Sequence, residues 1–442
     1  MSRPNRTRLA AVAGLAAISL VAAACSSSAG TASSKGGLTS SAPGITATTI
    51  TIGSHQPLSG IAAPGYDEIA PASNAYFKYV NAHGGIYGRK IRYIYLNDQY
   101  NPSLTSTVVH QLVLQDNVFA IFNGLGTPTH LAVAPYLNAE HVPDVFVASG
   151  CECWNSPSTW PYTFGWQLDY TREGKILGAY IASHYKGKKI GFLYQDDEFG
   201  QDGVKGLSYE IPKSKIVSAQ SYDPTNIKIG PQIAALKAAG AQVVVAFTVP
   251  AFTAVMRLTM VSLKYNPVIA VSNVGSDPIT LAGLLAAFAK SNKAGFGNAL
   301  TNGIISDGYL PSLGQTSNSW ISLFRKIHDT YIPNLPFDGN VLYGMAAAYT
   351  FVQAMFKAGK NPTRQDLVNA INGGLPQAVG VAPFAYSPTD HNGITGAYIG
   401  TIRNGALVPD TGVYVTNDSP TGPVTLYSGT QPTAPASGIP SP

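Results

Sequence analysis

The sequence predicts an α/β protein whose parallel sheets form two Rossmann-like lobes. Short β-rich runs alternate with helical ones from residue 48 onward. That alternation calls for parallel strands covered by helices on both faces. A Pro- and aromatic-rich stretch, PSTWPYTFGWQ at residues 157–167, interrupts the series. Behind it the series restarts with its own strand, turn and helix, KKIGFLYQDDEFGQDGVKGL. One continuous sheet would also accommodate the runs; the break and the restart favour two lobes.

Residues 81–102, NAHGGIYGRKIRYIYLNDQYNP, show the repeating unit most plainly. Gly84 and Gly85 close a helix in the left-handed conformation without a Cβ penalty. Ile91, Tyr93 and Tyr95 then alternate as one face of a strand. Asn101-Pro102 ends that strand and opens the next helix. In chain order, strands are expected at 49–54, 90–96, 119–123, 145–148, 189–194, 217–220, 242–247, 268–271 and 303–306. Helices are expected between them at 69–82, 103–115, 128–140, 173–184, 229–238 and 251–263, with a long one at 340–358.

The 442 residues are 45% apolar and only 12% charged, enough for one large two-lobed protein or several ordinary domains. Net charge is +5, and about +2 once Arg3, Arg6 and Arg8 are set aside. No basic run marks a nucleic-acid surface. The three arginines precede an apolar run at 9–24 and then Cys25, so residues 1–24 are expected to be a signal peptide. The run is slightly short for a spanning helix, and Gly14 and Ser19 weaken it further. Residues 25–45 are rich in Ser, Gly, Ala and Thr and are expected to be a flexible linker. Residues 417–442, again rich in Pro, Ser, Thr and Gly, are expected to be a disordered tail.

Two further cysteines, Cys151 and Cys153, lie in the body. A non-cytosolic compartment favours a disulfide over free thiols, and both states stay open from the sequence. A metal site would need more ligands than these, and no nearby His/Cys cluster supplies them. No metal and no cofactor is expected.

Seven segments carry a family resemblance: PLSG (57–60), GGIYGRK (84–90), GTPT (126–129), YLNAEHVP (136–143), LYQDDEFGQD (193–202), LKAAGAQVVV (236–245) and AGKNPTRQDLVNAI (358–371). In this order and at these distances they resemble type I periplasmic substrate-binding proteins. The group is the branched-chain amino-acid-binding (Leu/Ile/Val-binding) receptors of ABC transporters. The resemblance covers residues 48–409. It implies that the chain crosses between lobes three times, near 164–167, 303–309 and 392–397, with ligand in the cleft. Lobe 1 would then hold residues 46–165 and 306–394, and lobe 2 residues 166–305 and 395–416. Residues 20–25, LVAAAC, are similar to a bacterial lipobox, with Ala22 where Leu is usual. That similarity implies a lipid on Cys25, and a protein exported and anchored to the outer face of the cytoplasmic membrane.

Open α/β sheets bind ligands at the carboxyl ends of their strands. In the loop Asn123–Thr129, Thr127 reads as an N-cap with Pro128 at the first helical position, which leaves free N–H groups toward the cleft. Those groups suit an anion. The resemblance implies that this loop holds the ligand's carboxylate, with Thr127 as the helping hydroxyl and Pro128 and Thr129 beside it. A role for Thr127 as helix cap alone competes with that one. The resemblance also assigns ligand contact to Ser149, Gly150 and Cys151, with a Cys151–Cys153 bridge stiffening the wall. Asp196, Asp197 and Glu198 read as a charged helix start rather than a metal patch. Phe199 stands where the family commonly has Tyr, and it keeps the stacking surface. Thr248, Asn273 and Val274 complete the second-lobe side. Gln56 and Tyr66 lie near the mouth of the first lobe, and His55 beside them reads as an ordinary core or surface histidine.

Amino-acid binders of the family place an acid near the position of Asn273 or Val274, and the nearest acid here is Asp277. An ammonium buried without a countercharge is costly. The expected ligand is therefore a small neutral or anionic molecule, such as a carboxylate or amide, rather than a free amino acid. No Gly-x-Ser-x-Gly, His-Glu-x-x-His or P-loop pattern is present, so an enzyme is not expected. The expected role is a monomeric, lipid-anchored solute receptor that closes on its ligand and docks to an ABC permease. The alternative is a sensor of the same fold that reports ligand to a membrane signalling partner.

Overall fold

In the computed structural model, residues 37–441 are described, and from Leu38 onward they form one compact unit. The expected signal peptide, Cys25 and most of the expected linker lie outside the described residues. Two sheets organise the fold. The first contains β1 (Thr49–Gln56), β2 (Lys90–Asn97), β3 (Ile121–Phe122), β4 (Asp144–Val147) and β5 (Thr163–Gly165), all parallel, in the order β2-β1-β3-β4-β5. The second contains β6 (Ile190–Gln195), β7 (Ile216–Tyr222), β8 (Val243–Phe247), β9 (Val268–Val271), β10 (Ile305–Gly308), β11 (Gly396–Arg403), β12 (Ala406–Val415) and β13 (Thr425–Leu426). Its order is β13-β12-β11-β10-β9-β8-β6-β7.

The second sheet is mixed rather than purely parallel. β6 to β10 run parallel, whereas β11, β12 and β13 are added antiparallel. β11 pairs antiparallel with β10 on the chain's return to this sheet, and β12 follows β11 through a hairpin at Asn404-Gly405, where φ is 52° and 81°. An Asn-Gly pair takes two successive left-handed residues at little cost and turns a chain back on itself. β5 falls inside the stretch read above as a break. The helix expected at 128–140 is two short ones, Thr127–Leu131 and Ala134–Ala139, because Pro135 cannot continue the first.

Helices sort with the two sheets. Ile69–Ala82 packs against Gly339–Ala358, whose side chains are buried almost all round, and both cover the first sheet. Tyr170–His184 packs closely on Glu198–Glu210 over the second. Gly174 and Gly206 permit that approach, since a Cβ on either would lie within 2.4 Å of backbone oxygen on the other helix. The chain passes between lobes after β5, after β10 and before β11.

A fourth passage follows β13, and it corrects the expectation of a disordered tail. Lys175 Nζ donates to the carbonyls of Asn417, Ser419 and Gly422 (2.6–2.8 Å), and Arg172 Nε donates to Asp418 at 2.8 Å. Farther on, Trp320 Nε1 donates to Pro432 O (2.7 Å), and Tyr76 OH to Gly438 O (2.9 Å). The polar composition that reads as disorder is here satisfied by buried donors from the body. Residues 38–46 are likewise fastened: the guanidinium of Arg89, 1% exposed, donates to the carbonyls of Thr39, Thr46 and Lys360. Among the described residues no helix is long and apolar enough to cross a membrane.

Candidate functional site

The carboxyl ends of both sheets' strands face one cleft between the lobes. It encloses about 1100 Å³, counting its open mouth, within reach of what small-molecule sites occupy. Its lining is dominated by aromatic and aliphatic groups: Tyr66, Tyr100, Tyr170, Phe199, Tyr309, Tyr343 and Tyr398, with leucines at both ends. The polar groups are few, chiefly Thr127, Gln167, Asn273, Ser276 and Asn340. Among the described residues that line it none is basic, and Asp277 is its one acid.

The first-lobe wall is the loop after β3. Gly126 (φ 102°) passes so close to Tyr100 that a Cβ would lie 2.4 Å from that ring. Thr127 is the first helical residue rather than the cap, and no side chain caps this helix. Its hydroxyl instead meets Ser149 Oγ at 2.7 Å. The Tyr170 phenol, from the second lobe, sits against both hydroxyls and the Gly150 backbone N–H. The capping role weighed for Thr127 is therefore not the one it plays. A five-residue helix also adds little dipole of its own.

The second-lobe wall rests on buried acids. Asn273 N–H donates to Glu173 Oε1 (2.8 Å) and Asp307 Oδ1 (3.0 Å), and Asn273 Nδ2 donates to Asp307 O (2.9 Å). Burial pushes the Glu173 carboxyl well up, and the neighbouring Asp307 adds to that. Burial raises Asp307 to about 6. Asp307 Oδ2 finds no conventional donor among the described residues, and a proton held by Glu173 supplies one. Asp277 is raised to about 6 by burial and by Asp338, and its carboxylate accepts from Ile279 N, Thr280 N and Gly339 N.

Several bonds cross the cleft and hold it closed. Tyr66 OH donates to Val274 O (2.8 Å), Gly339 N to Asp277 Oδ2 (2.9 Å) and Thr280 Oγ1 to Asp338 Oδ2 (3.2 Å). Gln195 Nε2 reaches Tyr100 OH at 3.3 Å.

Of the residues proposed from sequence, Tyr66, Thr127, Phe199, Asn273 and Val274 line the cleft. Ser149 and Gly150 stand one layer behind, against Thr127 and Tyr170. Others face elsewhere. Gln56 Nε2 donates inward to Ser54 Oγ and Asn123 O. Thr129 Oγ1 donates to Leu125 O, and Thr248 Oγ1 meets Thr253 Oγ1. Pro128 is outside the lining, and Val249 takes the place expected of Thr248. Cys151 is disulfide-bonded to Cys153 and packs with Trp154, Val147 and Ala134. Asp197 caps its helix, accepting from Phe199 N at 3.0 Å. Among the described residues no His/Cys/Asp/Glu cluster could hold a metal ion.

Apart from Tyr66, sequence reasoning missed the tyrosines. Tyr100 and Tyr309 follow β2 and β10 at their carboxyl ends, the position that already marked the other loops, so that rule could have found them. Tyr343 and Tyr398 lie within a helix and a strand, where only the tertiary fold reveals the cleft.

Two α/β lobes, one with a parallel sheet and one with a mixed sheet, closed over an apolar, tyrosine-rich cleft define the two-lobed binding-protein class. The chain belongs to the periplasmic binding protein family, whose model matches residues 49–406. A Leu/Ile/Val-binding protein homolog 7 of Brucella abortus (strain 2308) is 25% identical over 205 residues, covering 44% of this chain and 51% of that protein. The chain thus spans about half the length of the curated relatives it matches. Among solved structures, a fatty acid ABC transporter substrate-binding protein from Thermomonospora curvata has TM-score 0.71 at 22% identity, covering 84% of this chain and 94% of its own. A branched chain amino acid ABC transporter protein from Thermus thermophilus with bound valine has TM-score 0.70 at 20% identity, covering 84% and 97%. These likenesses establish the fold.

Proposed function

We propose that this chain is the extracytoplasmic, lipid-anchored solute receptor of an ABC importer. It captures one small molecule in the cleft and presents the closed form to a membrane permease. The observation that carries the reading is the single closed cleft at the carboxyl ends of both sheets, bridged by Tyr66–Val274 and Gly339–Asp277. Interlobe bonds of that kind exchange with solvent on hinge opening, which is how capture by closure works.

The lining favours a ligand with an apolar or aromatic body. A carboxylate or amide end would be read by the Thr127 hydroxyl, which Ser149 supports from behind, and by backbone N–H groups, since no basic side chain faces it. Asp277 already accepts three backbone N–H bonds, which leaves it poorly placed to receive an ammonium. The neighbours named for fatty acid and for valine mark the two ends of the range to test. A thermal-shift screen of the mature chain with aliphatic and aromatic carboxylates, their amides, and leucine and valine decides between them. A ligand that binds only the folded state raises Tm by mass action. A shift with carboxylates or amides alone is expected. A clear shift with leucine or valine refutes the argument against an ammonium.

A further inference from the structure

Beneath the first-lobe wall runs a chain of four titratable side chains that ligand binding does not explain. Asp98 Oδ2 meets His55 Nδ1 at 2.7 Å, His55 Nε2 meets His130 Nδ1 at 2.8 Å, and His130 Nε2 meets Asp144 Oδ2 at 2.8 Å. All four are fully buried. Its two ends hold the two pieces of the cleft wall. Asp98 Oδ1 accepts from Tyr100 N (2.9 Å), and His130, tied to Asp144, lies in the last turn of the helix Thr127–Leu131. Gly124 lies directly over the middle: a Cβ there would come within 2.5 Å of His55 Nε2 and 2.7 Å of His130 Nδ1.

Three ring-nitrogen contacts need three protons. Each outer nitrogen must donate to a carboxylate, and the two inner nitrogens cannot face each other as bare lone pairs at 2.8 Å. Two neutral imidazoles supply only two protons. The third is therefore carried by the two rings, whichever of them holds it, since each outer nitrogen donates to its carboxylate and one inner nitrogen donates to the other. Burial holds His55 below the ordinary imidazole value. The charged groups facing His55 are Asp98, His130 and Asp144. The other neighbours are uncharged: Thr105 Oγ1 donates to Asp98 Oδ2, Thr163 Oγ1 donates to Asp144 Oδ2, and Trp154 stands edge-on to His130 at 5.1 Å.

We propose that Asp98–His55–His130–Asp144 is a one-proton brace, whose extra proton holds the loop from Gly124 to His130 in the shape the cleft requires. His55 and His130 are thus positioning residues for the ligand wall, which rests on the reading of the cleft as the binding site. The proton count does not rest on it.

The folded chain then carries one proton more than the unfolded chain above the ordinary imidazole pKa of about 6.5. Stability conferred by the brace is therefore lost as pH rises through its titration, at about a tenfold change in the folding constant per pH unit. Glu173, Asp307, Asp277 and Glu68 also have raised values and push in the same direction, so wild-type stability alone is not diagnostic.

The decisive experiment is NMR of the mature wild-type chain labelled with 15N-histidine, at pH 7.5. Three ring N–H protons over the two buried rings are expected, with a coupling across the His55–His130 contact. The backbone amides of Gly124, Leu125, Gly126, Thr127 and Thr129 should titrate with the same midpoint as the rings. Two ring protons only, or loop amides that ignore that midpoint, overturn the proposal. The variant His55→Gln gives a second reading, because its amide can donate to a neutral His130. If it folds, its stability profile above pH 7 should be flatter than wild type by about one proton, and an unchanged slope also overturns the proposal. Neither reading involves ligand, so failure of the solute-receptor assignment would leave both intact.

Discussion

Both walls of the cleft are built over buried carboxyl groups, but they neutralise them in opposite ways. On the first-lobe side Asp98 and Asp144 each face an imidazole N–H at 2.7–2.8 Å. Asp98 is held below its ordinary value; burial alone would raise it, and the bond and charge of His55 outweigh that. On the second-lobe side Glu173 faces Asp307 and Asp277 faces Asp338, and Glu173, Asp307 and Asp277 are raised. Two carboxyls at close range in a dry site cannot both ionise cheaply, whereas a carboxyl beside an imidazole N–H can. The first wall is thus a chain of carboxyl–imidazole pairs that breaks when one partner or the extra proton goes. The second is a set of carboxyl–carboxyl contacts that breaks as pH rises through its raised carboxyls.

The largest expected effect breaks the first wall. His130→Ala removes the donor to Asp144 Oδ2 and the partner of His55 together. Asp144 Oδ1 already lacks a donor among the described residues, so Thr163 Oγ1 would remain as the chief support of a buried charge. A loss of about 3 kcal/mol is expected in chemical denaturation at pH 7. A loss below about 0.5 kcal/mol would mean that the imidazole contacts of the first wall add little to stability.

The second wall predicts a pH profile. A carboxyl raised on folding contributes stability that is full below its ordinary pKa and lost as pH climbs through the raised value. For Asp307 and Asp277 that value is about 6, raised from 3.8, so the loss should fall between about pH 4 and 6. Asp98 has the opposite sign: its contribution is present above the ordinary pKa and fades only in acid. Glu173→Gln separates the two walls. The amide can donate to Asp307 Oδ2 without a titrating proton, and its oxygen can still accept from Asn273 N. The variant should match wild type near pH 5 and exceed it by about 1 kcal/mol at pH 8 in urea titrations. A profile parallel to wild type would place the titration elsewhere.

The two walls also differ in how far the sequence revealed them. The α/β alternation and the Asn101 cap were legible because they depend on local chemistry: Asn101 Oδ1 accepts from Ser103 N and Leu104 N as a cap should. Thr127, Phe199, Asn273 and Val274 were legible because they lie just past strand ends. The acids were not. Glu173 lies in a helix a hundred residues from Asn273, and Asp307 ends a strand, yet both converge on one backbone N–H. His55 read as an ordinary histidine because its partners at positions 98, 130 and 144 are scattered along the chain. The Asn404-Gly405 hairpin is the reverse case. Its signal was local and plain, but the expectation of parallel sheets left no place for it.

The smallest expected effect lies where the walls meet. Tyr66 donates to Val274 O across the cleft at 2.8 Å, while its ring lines the site. Tyr66→Phe keeps the ring and removes the bond. Burial has already raised the phenol well beyond the physiological range, so the change adds no pH dependence of its own. The open form satisfies Val274 O with water, so the variant should lose closure rather than folding. The cost is that of one neutral hydrogen bond, about 1 kcal/mol. A ligand found in the thermal-shift screen should bind several-fold more weakly by calorimetry, with the Tm of the ligand-free chain nearly unchanged. A fall in Tm without loss of affinity would instead make Tyr66 part of a permanently joined interface. The cleft would then open elsewhere, and the comparison of two separable walls would need to be redrawn around the Asp277–Gly339 contact.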